Sequence, residues 1–325
     1  MSPSTTISSS AWDFEKGRYT TKLQRVQSAA GTTCNNCCNC SSSVEAVPAL
    51  APPKPLLIAS PCEAGEFPLL IFLHGYLLRN SFYSQLLQHV ASHGFIGIAP
   101  QLYEVDGGDS TGEIKSAAAM TNWLSEGLAD VLPPNVHPNL SKVGLAGHSR
   151  GGKAAFALAL TKAATTLKFS ALIGIDPVDG MDEGKQTPPP VLTYVPRSFD
   201  LDMPVMVIGS GLGEVRRNPL FPPCAPKGVN HEDFFKECRK PACHFVVKDY
   251  GHFDMLDDVT NWLLDTVINC LSKNGESREP MRKFVGGSIV AFLKASFYGD
   301  ANELMSIGSG HATAPVELQT VEFRK

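Results

Sequence analysis

Five residues, Gly147-His148-Ser149-Arg150-Gly151, constrain this chain more than any other stretch. They fit Gly-x-Ser-x-Gly and lie between an apolar strand-like run, Val143 to Ala146, and a small-residue helical stretch starting near Lys153. In that setting the serine occupies a strained strand-to-helix turn, where side chains two positions to either side would clash and only glycine fits. Gly147 and Gly151 fill those places. The hydroxyl then projects from the sheet as a nucleophile, with a helix N-terminus beneath the charge it generates. Such a turn requires a mostly parallel sheet around it.

The element order supplies that sheet. From Pro55 onward, short runs rich in Ile, Val and Leu alternate with longer amphipathic stretches, the pattern of an α/β fold. Strands are predicted at Leu56 to Ala59, Leu69 to Leu73, Phe95 to Ala99, Val143 to Ala146, Ala171 to Ile175, Val205 to Ile208 and Phe245 to Val247. Helical spacing marks Phe82 to His93, Ile114 to Leu132, Lys153 to Ala164, Met255 to Leu271 and Met281 to Tyr298. Residues 177 to 204 and 209 to 243 break the alternation with many prolines and are expected to form functional loops or lids. The expected organisation is a flexible segment over 1–54, one catalytic domain over 55–300 and a loosely attached tail over 301–325.

Composition narrows the partners. Lys and Arg total 28 against 32 Asp and Glu, a net charge of −4 without the basic excess that nucleic acid demands. No apolar run reaches the roughly 18 residues of a membrane helix. The Ser/Thr-rich start suits a plastid transit region only weakly, because Asp13 and Glu15 follow and basic residues are sparse. Four of nine cysteines crowd into Cys34, Cys37, Cys38 and Cys40. The Cys-x-x-Cys spacings of Cys34 with Cys37 and of Cys37 with Cys40 share one cysteine and leave no separate second pair, so no metal site is expected. One bridge among Cys224, Cys238 and Cys243 is allowed.

A serine nucleophile needs a base and an acid downstream, in the order Ser, Asp or Glu, His. His252, in the loop after the last predicted strand, meets the requirement for the base, and His231 in the long loop is its rival. His148 points away beside the nucleophile. Three carboxylates qualify as the acid. Asp176 ends the strand Ala171 to Ile175 and is therefore well preorganised. Glu214 follows the next strand, the more usual position, and Asp179 is the third. Backbone amides of Arg150 and, after His74-Gly75, of Tyr76 are the expected oxyanion donors, with Leu77 the alternative if the turn shifts. Leu77, Leu78, Phe82 and Phe221 are candidates for an apolar wall that would take a long-chain ester.

Four runs carry a resemblance: His74 to Gln85, Gly147 to Lys153, Ile175 to Gly180 and Gly251 to Asp258. Together they closely resemble plant chlorophyllases, over roughly residues 55 to 300. The resemblance implies an α/β-hydrolase fold and a carboxylic ester hydrolase without a cofactor. It implies cleavage of chlorophyll or related phytylated pigments by water, to chlorophyllide and phytol. The implied triad is Ser149, Asp176 and His252. A chloroplast address follows from the family, with the cytosol or the periphery of internal membranes as alternatives. A general lipase or carboxylesterase is the competing reading, and a non-catalytic pigment-binding protein a more distant one.

Overall fold

The computed structural model describes residues 13–28, 50–103, 107–160, 165–258, 271–310 and 314–325. Its strands are β1 (Thr21–Val26), β2 (Leu56–Pro61), β3 (Gly65–Leu73), β4 (Ile96–Pro100), β5 (Val136–His148), β6 (Ala171–Ile175), β7 (Val205–Ser210), β8 (Ala242–Val247) and β9 (Leu318–Arg324). They form one sheet in the order β1-β2-β4-β3-β5-β6-β7-β8-β9. Neighbours from β4 across to β8 run parallel, while β2 is antiparallel to both β1 and β4, and β9 to β8. The α/β expectation is met.

The helices are α1 (Ser84–Ser92), α2 (Thr111–Val131), α3 (Arg150–Leu160), α4 (His231–Glu237), α5 (Arg278–Tyr298) and α6 (Asn302–Ser309). Both faces of the sheet are covered, so its strands read as continuous apolar runs rather than alternating ones. Within β3, Leu69, Ile71 and Leu73 join the core beneath α2, α3 and α4, while Leu70 and Phe72 join the core beneath α1 and α5. Phe156 of α3 meets Phe199 at 5.4 Å and Phe234 of α4 at 4.8 Å between ring centroids. Such aromatic pairs contribute about 0.5–1.5 kcal/mol each beyond their burial. They anchor the two proline-rich stretches to the catalytic helix.

Both expected ends of the domain need correction. In the segment expected to be flexible, Phe14 is buried and stacks on Phe284 of α5 at 5.9 Å, and β1 pairs with β2 from Thr21↔Pro61 to Val26↔Leu56. In the expected tail, β9 pairs with β8, and Phe323 packs edge-on against Phe245 at 5.8 Å. Edge strands keep one side in solvent and carry few apolar residues, so neither announces itself as an apolar run. The long loop 209–243 contains α4, capped by Asn230 and Asp233.

Predicted helix boundaries shift as well. Helix α3 begins at Arg150, directly on the turn, and residues 161–164 lie outside the described residues. Of the helix predicted over Met255 to Leu271, residues 255–258 are not helical, Leu271 is, and 259–270 lie outside the described residues. The cluster Cys34 to Cys40 lies outside them too. Cys224, Cys238 and Cys243 are free thiols, which removes the bridge allowed above. Cys238 instead bonds the Phe234 carbonyl at 3.2 Å. Among the described residues, no His, Cys, Asp and Glu group could hold a metal ion, and no helix is long and apolar enough to cross a membrane.

Candidate active site

The turn at Ser149 is built on steric exclusion. A Cβ on Gly147 would lie 2.2 Å from the Gly151 carbonyl oxygen, and one on Gly151 would lie 2.3 Å from that of Leu73. Between them Ser149 takes φ +57°. A left-handed serine costs on the order of 1–3 kcal/mol and persists only where its surroundings over-determine it. Here the Ser149 N–H donates to Ile175 O at 3.0 Å, and its carbonyl accepts from Lys153 at 3.1 Å and Val178 at 3.2 Å. Strand β6, helix α3 and the loop after β6 thus hold the serine from three sides.

Asp176 follows β6 with φ +42°, its N–H donating to Ile208 O at 2.6 Å. This places its carboxylate at the C-terminal edge of the parallel strands, where open α/β sheets form their sites. The His252 Nδ1–H donates to Asp176 Oδ2 at 2.7 Å, and His252 Nε2 lies 2.8 Å from the Ser149 hydroxyl that donates to it. The Ser210 hydroxyl also donates to Asp176 Oδ2, and the Ser210 N–H reaches Oδ1 at 3.3 Å. Burial by itself would push the Asp176 carboxyl up, but the hydrogen bond and charge of His252 outweigh it and hold the group at about 2. Asp176 is therefore an anion that orients the imidazole and can stabilise it once charged.

The loop bearing His252 is fastened at several points. Asp254 Oδ2 accepts from Gly251 N and Gly275 N, both at 2.7 Å. Asp257 caps the start of α1, accepting from Ser84 N at 3.1 Å and Gln85 N at 2.9 Å.

The loop after β3 lies against the serine, since a Cβ on Gly75 would stand 3.3 Å from Ser149 Cβ. The Gly75 carbonyl accepts from Leu78 N at 3.2 Å, Tyr103 Oη at 3.2 Å and His74 Nδ1 at 2.9 Å. His74 Nε2 accepts from Leu102 N at 3.0 Å, so the ring proton sits on Nδ1. Burial holds His74 down at about 4, which keeps it neutral. The Gly75–Tyr76 peptide is trans, so its N–H points opposite to the carbonyl and its direction is set by those three donors. Preorganisation of this kind is what an oxyanion donor needs. Arg150 ties the same loop to the turn, with its guanidinium 5.0 Å from the Tyr76 ring and 5.7 Å from Tyr103. Its Nη1 and Nη2 donate to Gly107 O and Asp109 O, both at 2.8 Å.

The rival groups are engaged elsewhere. Glu214 is exposed and accepts from Asn230 Nδ2 at 2.6 Å. Asp179 faces buried Lys153 at 3.2 Å and accepts from Val191 N at 2.9 Å and Leu192 N at 2.8 Å. His231 is buried against His244, Nδ1 to Nε2, at 3.0 Å. Of the expected apolar wall, Leu77 and Phe221 are exposed and Phe82 is half-buried. Leu78 is a correction: at 3% exposure it belongs to the core beneath α1, because the turn closed by its own N–H carries it inward. Reasoning from sequence missed Ser210 and Tyr103, which no local motif marks, and Leu220. The only cue to Leu220 is its position in the proline-flanked run Pro219 to Pro223, and it is 86% exposed.

The sequence model of the chlorophyllase family matches residues 10–325. The chain belongs to the chlorophyllase family. Chlorophyllase-2 of Arabidopsis thaliana is 58% identical over 97% of this chain and 98% of its own length. Chlorophyllase-1 of the same plant is 48% identical over 82% of this chain and 84% of its own. Chlorophyllase-1, chloroplastic, of Citrus sinensis is 46% identical over 84% and 81% respectively. As a chlorophyllase family member the chain is a carboxylic ester hydrolase, which accords with the hydrogen-bonded Ser149, His252 and Asp176.

Proposed function

We propose that this chlorophyllase cleaves the phytyl ester of chlorophyll through Ser149, His252 and Asp176. The observation that carries the reading is the continuous hydrogen-bonded line from Ser149 Oγ to His252 at 2.8 Å and on to Asp176 at 2.7 Å. His252 Nε2 takes the Ser149 proton as the hydroxyl oxygen attacks the ester carbonyl. The resulting oxyanion lies against the Tyr76 and Arg150 amides, each typically worth about 3 kcal/mol to the transition state. The tetrahedral intermediate collapses as His252 returns the proton to the phytyl oxygen, and phytol leaves. Water, deprotonated by His252, then attacks the acyl-enzyme; its proton passes to Ser149 and chlorophyllide is freed. The pigment's magnesium belongs to the substrate.

The edge carrying Ser149 suits an apolar ester. Tyr76, Leu77, Met181, Val215, Leu220 and Phe221 stand exposed on loops that follow β3, β6 and β7. Covering a phytyl chain there contributes about 0.8 kcal/mol per methylene. The exposed Arg216 and Arg217 beside Leu220 favour peripheral contact with an anionic lipid surface through the same edge. A chloroplast address for this chain draws on the citrus relatives, whose names carry it.

Incubating wild type and Ser149→Ala with chlorophyll, and measuring free phytol, tests the reading. Ser149→Ala should bind pigment but release almost no phytol. Unchanged release would sink the assignment, and turnover of short p-nitrophenyl esters alone would point to a general esterase. For the lipid contact, wild type should sediment with anionic vesicles and Leu220→Asp should not; equal sedimentation would remove this edge from the contact.

A further inference from the structure

A chain of buried hydrogen bonds links the loop after β3 to the loop of the catalytic base. The Gly75 N–H donates to the Tyr83 hydroxyl at 3.0 Å. Tyr83 Oη lies 2.9 Å from His148 Nδ1, and His148 Nε2 lies 2.8 Å from the carbonyl oxygen of His252. All four residues are buried, Tyr83 and His148 completely. A carbonyl can only accept, so Nε2 carries the proton and Nδ1 must accept from Tyr83. The Tyr83 hydroxyl thus accepts from Gly75 and donates to His148, and every bond in the line has a fixed direction.

We propose that Tyr83 and His148 are positioning residues that lock the oxyanion loop to the loop of the catalytic base. His148 neighbours the nucleophile and turns its ring toward His252, 4.7 Å between centroids. Tyr83 immediately precedes α1, whose first amides are held by Asp257, five residues beyond His252. The Gly75 amide and the His252 carbonyl therefore share one rigid link, and a shift of either displaces the other. Burial, and then the nearby His252, hold the His148 ring down at about 3, so the link keeps its neutral form through the working range. Adjacency in sequence suggested only that His148 faces away from the serine hydroxyl. In the structure its two ring nitrogens are engaged by Tyr83 and by the His252 carbonyl.

The proposal rests on the triad reading for its effect on turnover, and its test separates the two. On the resting protein, nitrogen-15 NMR should show His148 as the neutral Nε2–H tautomer at pH 7, with no reference to activity. An Nδ1–H or charged ring would overturn the link. Tyr83→Phe should keep its fold by circular dichroism, lower kcat for a p-nitrophenyl ester about 10- to 100-fold, and leave KM within about threefold. Labelling of Ser149 by a fluorophosphonate should slow in proportion. His148→Gln, which retains an acceptor and a donor, should keep more activity than His148→Phe. The double variant Tyr83→Phe/His148→Phe should be no slower than the worse single one, because the pair acts as a unit. A folded Tyr83→Phe with kcat within twofold of wild type, or multiplying losses in the double variant, would overturn the proposal. Ser149→Ala tests the triad itself.

Discussion

Asp176 and His252 meet through a single carboxylate oxygen, Oδ2, at 2.7 Å from Nδ1, while the other oxygen takes the Ser210 amide. An asparagine in that place can offer its amide N–H to Nδ1 and impose the wrong tautomer. Asp176→Asn should therefore lower kcat by about three to four orders of magnitude with little change in KM. Glu214→Gln keeps an acceptor for Asn230 and should stay within a few-fold of wild type. Steady-state kinetics of the two variants decide the acid; equal activities would remove Asp176 from the role.

The strands that surround the site were legible because they are buried on both faces and read as apolar runs. Ser149 and His252 were legible because a turn motif and a strand-to-helix loop place them without knowledge of distant contacts. Asp176 was one of three carboxylates at the sequence level. Its place at a strand end and the family resemblance favoured it over Asp179 and Glu214, and the register of β6 beside β7, which brings its amide to Ile208 and its carboxylate to Ser210, gives the physical reason. The partners that fix each loop were not legible, since they come from remote segments: Tyr103 reaches Gly75, and Asp257 reaches Ser84. Strands β1 and β9 were missed because polar residues at a sheet edge look like a loop.

Lys153 and Asp179 test the support beneath the site. Their ion pair is sealed from solvent, with Lys153 also donating to Thr187 O. Removing one partner of such a pair strands a buried charge and typically costs about 3–5 kcal/mol. Asp179→Asn should lose roughly that much, since it leaves the ammonium uncompensated. Lys153→Met should lose less, because Asp179 retains the Val191 and Leu192 amides. Urea midpoints of the two variants give the order.

Acid should unfold the protein early. His74 is held at about 4, and His148 and His244 at about 3, chiefly by burial. In the unfolded chain each returns to about 6.5. Below that pH the unfolded state binds more protons, so stability is lost as pH falls from 6.5 toward 4 and 3. Each ring accounts for about 1.4 kcal/mol per pH unit in that window, roughly 4 kcal/mol for three at pH 5.5. Asp176, lowered to about 2, adds a later loss between 3.8 and 2. Melting curves from pH 7.5 to 5 should show Tm falling steeply; a flat profile would contradict the neutral, buried rings.

Two glycines should respond oppositely to alanine. Gly151→Ala would drive a Cβ to 2.3 Å from the Leu73 carbonyl oxygen, where backbone must move, and should abolish activity or folding. Gly112, in the first turn of α2, has nothing within 4 Å of an added Cβ. Gly112→Ala should stabilise the protein by roughly 0.5–1 kcal/mol through helix propensity. Expression yield, activity and urea midpoints separate the two cases.

The contacts made by the first described residues set a boundary for any peptidase that trims this chain. Phe14 stacks on Phe284, the Gly17 amide donates to Ser92 Oγ at 2.8 Å, and Lys294 reaches Asp13 at 2.6 Å. A cut before Asp13 spares all three. After a cut in the stretch between β1 and β2 the segment would be held only by these contacts and by the pairing of β1 with β2, and its loss would open the Leu57 side of the core where Phe14 sits. Trimming ahead of Asp13 thus leaves that wall of the fold in place, whereas removal of everything ahead of β2 would dismantle it.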